Sequence, residues 1–102
     1  MAEHRIASLA DVPAGRLIGV DVQGTRVVVI RVGDNVHACA DVCSHRGGRL
    51  SEGRLMGARL VCPLHGWRFD VRTGQCVLPS HGNRVPIYPV RVDGDDVFVE
   101  LP

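Results

Sequence analysis

The 102-residue chain has no lysine; all twelve of its basic residues are arginine, a bias for which the sequence offers no physical reason. It has no apolar run of about 18 residues, so no segment is expected to span a membrane. The first sixteen residues contain no apolar stretch of signal-peptide length and bring in Glu3 and Asp11 early, so the cytoplasm is the expected compartment. The formal net charge is only +1, which removes any case for a nucleic-acid partner from bulk electrostatics. No stretch of ten or more residues repeats apolar side chains at helical spacing. There is no internal repeat, linker or low-complexity segment. What is present is 45% hydrophobic and 23% charged, the balance of a globular protein. A chain of this length fits one domain, residues 1–102, burying roughly 65% of its unfolded surface. It has no room for a catalytic domain beside a cofactor domain.

The periodicity is that of strands. Leu17–Val22 and Thr25–Val32 are rich in valine and isoleucine and flank Gln23-Gly24, a two-residue turn with glycine where a positive φ is wanted. Gly33-Asp34-Asn35 turns the chain into a strand at 36–40. Shorter strands are expected at 3–9, 59–61, 67–70 and 75–78, the last after a Thr73-Gly74 turn. Segments 85–92 and 97–101 form a closing hairpin across an acidic turn, and Pro86 and Pro89 place an edge or a bend in its first half. Many short strands with frequent glycine and proline turns predict an all-β sandwich or small barrel. Between Asp41 and Gly66 glycine and arginine crowd around two Cys/His pairs, which reads as more irregular chain than so small a domain carries idle.

Those pairs are Cys43-Ser44-His45 and, sixteen residues on, Cys62-Pro63-Leu64-His65. Glycine follows each, as Gly47-Gly48 and as Gly66, letting backbone come close to a bound group. Four cysteines raise the question of disulfides, but those need an oxidising compartment, which the expected location denies. A Cys2His2 set can hold zinc or an iron–sulfur cluster. Structural zinc sites usually leave two or more residues between paired ligands, and the first pair here leaves one. If each loop instead gives one ligand to each of two irons, Cys43 and Cys62 share one iron and His45 and His65 the other, which is the Rieske arrangement.

The sequence resembles the Rieske-type 2Fe-2S proteins: C-x-H, a spacer of fifteen to seventeen residues, then C-x-x-H. Leu50-Ser51-Glu52-Gly53, Cys62-Pro63-Leu64-His65-Gly66, Phe69-Asp70, Thr73-Gly74, Tyr88-Pro89-Val90-Arg91-Val92 and Val97-Phe98-Val99 look like stretches of the Rieske ferredoxins of bacterial ring-hydroxylating dioxygenase systems. The resemblance covers nearly the whole chain. It implies a Rieske-like antiparallel β-sandwich with a small cluster-binding subdomain made of two ligand loops, at approximately 41–70. It implies one Rieske-type 2Fe-2S cluster on Cys43, His45, Cys62 and His65. It also implies an electron carrier, not an enzyme, with a flavin-containing NAD(P)H-dependent reductase and a terminal oxygenase as partners. A carrier that docks two partners in turn through one cluster edge is expected to be a monomer. The small subunit of an assimilatory nitrite reductase is the alternative, and a zinc-stabilised interaction module a third.

Departures from the high-potential members bear on the chemistry. Gly47 and Leu64 stand where those proteins carry a disulfide across the two loops. Trp67 and Phe69 stand near where they carry hydroxyl donors. Fewer donors to the sulfurs place the potential toward the low end of the Rieske range of about −150 to +300 mV. Neutral histidines with free ring N–H groups couple the potential to pH, so it should fall in alkali.

Other residues read two ways. Arg46, Arg49, Arg54, Arg59 and Arg68 either form a rim that steers acidic partners or are simply solvated. Trp67 either shields the cluster or touches a partner, or is core. Cys39 and Cys76 read as small buried hydrophobes, and His4 and His37 as surface or strand histidines. His81 lies in a loop which in the family covers the cluster. Asp93, Asp95 and Asp96 read as plain hairpin chemistry.

Overall fold

The structure, a computed structural model, describes residues 2–43, 48–64, 66–78 and 84–102. Its strands are β1 (Ala2–Ser8), β2 (Leu17–Val22), β3 (Thr25–Val32), β4 (Asn35–Ala40), β5 (Arg54–Met56), β6 (Arg59–Val61), β7 (Arg68–Asp70), β8 (Cys76–Leu78), β9 (Ile87–Tyr88), β10 (Val90–Asp93) and β11 (Asp96–Leu101). They form three antiparallel sheets, ordered β1-β11-β10, β2-β3-β4-β9 and β5-β6-β7-β8. Short 3-10 turns at Leu9–Asp11 and Leu50–Glu52 join them.

The middle sheet explains the valine run of β3. Val27, Val28, Val29 and Ile30 are all fully buried, because β3 has a layer on each side. Val27 and Val29 pack with Val97, Val99 and Leu101 of the β1-β11-β10 sheet. Val28 and Ile30 pack on the opposite side with Leu60, Phe69 and Val71 of the β5–β8 region. Successive side chains of one strand thus nucleate two separate cores, as the two-residue period of a strand requires.

The β2–β3 turn takes the expected form. Gln23 and Gly24 both have positive φ (52° and 88°), and the Asp21 carboxylate accepts the Gly24 N–H at 2.8 Å. In the β10–β11 turn Asp96 pairs with Arg5 of β1 at 2.8 Å and Asp93 with Arg91 of β10 at 3.4 Å.

One expectation needs correction. Residues 85–92 are not one strand of a hairpin. Ile87 and Cys39 are register partners, as are Tyr88 and Ala38, whereas Val90 onward pairs with β11. Pro89, which has no N–H to give a ladder, stands where the chain leaves one sheet for the other. Most of the described part of 41–66 is irregular, as expected, but beyond the strand at 59–61 it contains β5, whose three residues pair with β6 across a turn at Gly57 (φ +61°). An Arg-Leu-Met strand with glycine at either end has too few β-branched residues to show in the sequence. The chain before Cys62 therefore belongs to a sheet of its own, whereas Cys43 follows β4 of the middle sheet.

Among the described residues no helix is long and apolar enough to cross a membrane.

Candidate metal centre

Cys43 follows β4 and Cys62 follows β6, so the second and third sheets each deliver one cysteine to its loop. The two loops are closed in the same way. The Cys43 N–H donates to the Gly48 carbonyl at 2.7 Å, and the Cys62 N–H donates to the Trp67 carbonyl at 2.8 Å. In both the cysteine bonds five residues ahead, making an arch with its cysteine at the foot. Gly66, with φ +73°, donates back to the Cys62 carbonyl at 3.1 Å and tightens the second arch.

The arches meet at Gly48. A Cβ on that residue would stand 2.7 Å from Leu64 Cδ1, which would have to swing aside, and 3.7 Å from Cys62 Sγ, in van der Waals contact, so the first arch lies directly against the second cysteine. Both thiols are almost wholly withdrawn from water, with Cys43 1% and Cys62 2% exposed. Two soft donors held dry, from two loops in contact and beside a bare glycine backbone, suit a metal–sulfur group. His45, His65, His81 and Arg46 lie outside the described residues. Among the described residues no group of three or more His, Cys, Asp or Glu could hold a metal ion.

A buried carboxylate clamps the first arch. Asp41, 1% exposed, accepts from the Ser51 N–H (2.7 Å), the Ser51 hydroxyl (2.6 Å) and Arg26 Nη2 (3.1 Å). It therefore ties the chain two residues before Cys43 to the turn at Leu50–Glu52 and to β3. Sequence reasoning missed this role. Asp41 has no neighbouring signature, and its partners stand 10 and 15 residues away.

The other two cysteines are core residues, as expected. Cys39 and Cys76 are each 1% exposed and pack with Leu60 and Phe69, and no disulfide links any of the four cysteines. Burial, with the Asp41 charge as a lesser cause, pushes the Cys39 thiol up to about 12. The protonated form is the favoured one, and at pH 8 about one molecule in ten thousand carries the thiolate. Native protein treated with iodoacetamide at pH 8 is accordingly expected to show no modification of Cys39 by peptide mass mapping. Unfolding in denaturant restores full labelling. Burial also raises the Cys76 thiol. Trp67 packs against the same core from its edge, and His4 and His37 are half-buried in their strands.

A three-sheet antiparallel sandwich with two matching cysteine arches at one place is a Rieske architecture. Residues 2–89 match the Rieske [2Fe-2S] domain, and the chain belongs to that family. It is 34% identical over 94 residues to the ferredoxin component of the naphthalene 1,2-dioxygenase system of Pseudomonas aeruginosa, covering 92% of this chain and 90% of that one. Its fold superposes on the ferredoxin of carbazole 1,9a-dioxygenase from Nocardioides aromaticivorans IC177 with TM-score 0.89, 38% identity and 97% of both chains covered. A third similar structure is a complex of reduced oxygenase and oxidised ferredoxin in carbazole 1,9a-dioxygenase (TM-score 0.88, 32% identity, 95% of this chain and 91% of that one). The protein is a Rieske-type ferredoxin, an electron-transfer protein with one 2Fe-2S cluster.

Proposed function

We propose that Cys43 and Cys62 hold one iron of the cluster and His45 and His65 the other. The chain then carries single electrons from a flavin-containing, NAD(P)H-dependent reductase to the terminal oxygenase of an aromatic-ring hydroxylating system. The observation that carries the ligand assignment is the pair of matching arches, each closed by its cysteine N–H and meeting at Gly48. His45 and His65 fall, by number, inside the spans 43–48 and 62–67. Once bound, the cluster takes up and gives back one electron at a time. The chain's own residues keep the two thiols dry, close each arch and, through Asp41 and Ser51, fix where the first arch begins.

The similarity to ferredoxin components of dioxygenase systems supports an oxygenase as the electron acceptor. The chain itself makes no covalent change to a substrate. It works as a one-domain monomer in the cytoplasm, without nucleic acid or membrane as partner.

The test is direct. Purified protein is expected to be brown, to contain about two irons and two sulfides per chain, and to give after dithionite a Rieske-type EPR signal. Its average g is expected below that of a four-cysteine ferredoxin. A folded, colourless protein with about one zinc refutes the assignment.

A further inference from the structure

The near-zero net charge conceals a separation. Segment 41–84, between β4 and β9, has seven arginines against three carboxylates, whereas the rest of the chain has five arginines against eight. Two of the segment's three carboxylates are paired with arginine among the described residues, and the third is Glu52. Arg26 reaches in from β3 to Asp41, and Arg72 holds Asp70 at 3.2 Å. By contrast Arg54, Arg59 and Arg68 form no ion pair among the described residues, although Arg59 stands opposite Asp70, whose carboxyl is held low by the Arg72 hydrogen bond and, to a lesser degree, by the Arg59 charge. The three arginines share one surface, where they outnumber the carboxylates.

That surface is the outward face of the β5-β6-β7-β8 sheet. Leu55, Leu60, Phe69 and Cys76 face inward to the core, so the alternate positions lie on the opposite face, where Val61 is itself buried. The register sets Arg54, Val61, Arg68 and Leu78 in one row across the strands, with Met56, Arg59 and Asp70 in the next. Met56 is 43% and Leu78 49% exposed, among the few large apolar side chains left in water. Arginine and methionine together are the composition of a protein interface. Arg68 Nε is buried without a hydrogen-bond partner among the described residues, so Arg68 is not one of the face's reachable charges. A recess of about 350 Å³ lined by Glu52, Gly53, Arg54, Val61, Cys62, Pro63 and Gly66 carries the face up to the second arch, with one carboxylate beside its arginine.

Resting on the ferredoxin reading above, we infer that this face, with Arg54 and Arg59 as its exposed charges, docks a redox partner whose own docking surface is lined with carboxylates. The charge separation turns the cluster end toward that partner before contact, and the apolar Met56 and Leu78 settle the complex afterwards. Net charge alone would leave such a molecule unsteered.

A surface of known charge serves as the probe. Holoprotein is placed on gold electrodes bearing carboxylate- or ammonium-terminated monolayers in about 10 mM salt, where charges are felt over about 30 Å. The cluster's voltammetric peak is expected at least about tenfold larger on carboxylate, and largely lost by about 200 mM salt. Two double variants of equal net charge decide the location. Arg54→Gln with Arg59→Gln should lower the peak on carboxylate at least about fivefold, whereas Thr25→Glu with Asn35→Glu, on exposed positions of the middle sheet, should change it less than about twofold. On a carboxymethyl resin, whose readout needs no electron transfer, the first variant should elute at lower salt than the second.

Equal wild-type peaks on the two monolayers overturn the inference, as does equal loss of signal or of retention in the two variants. Both results leave the ferredoxin reading standing so long as the Rieske EPR signal is present. Absence of that signal strikes the reading itself.

Discussion

Cys43→Ala, His45→Ala, Cys62→Ala and His65→Ala should each yield a protein whose iron falls from about two per chain to below about 0.2, with no visible absorption. Cys39→Ala and Cys76→Ala should keep their full iron. The contrast is sharp because burial does not distinguish the cysteines: all four are buried. What separates them is position, at the foot of an arch for Cys43 and Cys62 and on a strand for Cys39 and Cys76. Iron and sulfide assays on the six variants settle the assignment. Loss of iron from Cys39→Ala alongside retention in Cys62→Ala is the result that defeats it.

Gly53→Ala should destabilise the holoprotein by about 3 kcal/mol or more. Gly53 joins the turn at Leu50–Glu52 to β5, and a Cβ there would overlap the Val61 carbonyl oxygen, a backbone atom that cannot swing aside. The whole Asp41–Ser51 clamp lies just upstream, so any shift of Gly53 strains it. For a domain of about this size the loss corresponds to a fall in Tm of roughly 12 to 24 °C by circular dichroism. Gly57→Ala is the comparison. It has a positive φ but nothing within 4 Å of its added Cβ, and should cost only about 1 to 2 kcal/mol for left-handed backbone. Similar Tm values for the two variants would show that the carbonyl contact does not matter.

Much of this molecule was legible in the sequence, for identifiable reasons. The β2–β3 hairpin announced itself because Gln23-Gly24 interrupts a valine-rich run at the one length that makes a tight turn. The loops announced themselves because their chemistry depends on residue types and spacing that packing alone does not call for. Two things stayed hidden. The division of 85–92 between two sheets depends on which strand lies alongside, a choice made by the tertiary structure; Pro89 marks the place but not the partners. The Asp41 clamp joins residues from β3, the first arch and the turn at Leu50–Glu52, and no local pattern connects them.

The pairing of Ala38 with Tyr88 and Cys39 with Ile87, extended by the Ala40 N–H donating to the Pro86 carbonyl at 2.9 Å, has a further consequence. The chain departs from β4 and returns beside its point of departure, so the intervening stretch is an excursion with both ends fixed together. The remaining sheets do not register how far it travels. Such a stretch can be lengthened, shortened or exchanged between related scaffolds without moving the ends of the frame, at a closure entropy that grows only with the logarithm of its length. The constraint on a graft is instead the seat it rests on: Val28, Ile30 and Cys39, with Leu17, Val32 and Ile87 packed at its edge, and Arg26, which reaches Asp41. A donor stretch would have to match that seat and carry a carboxylate for the arginine.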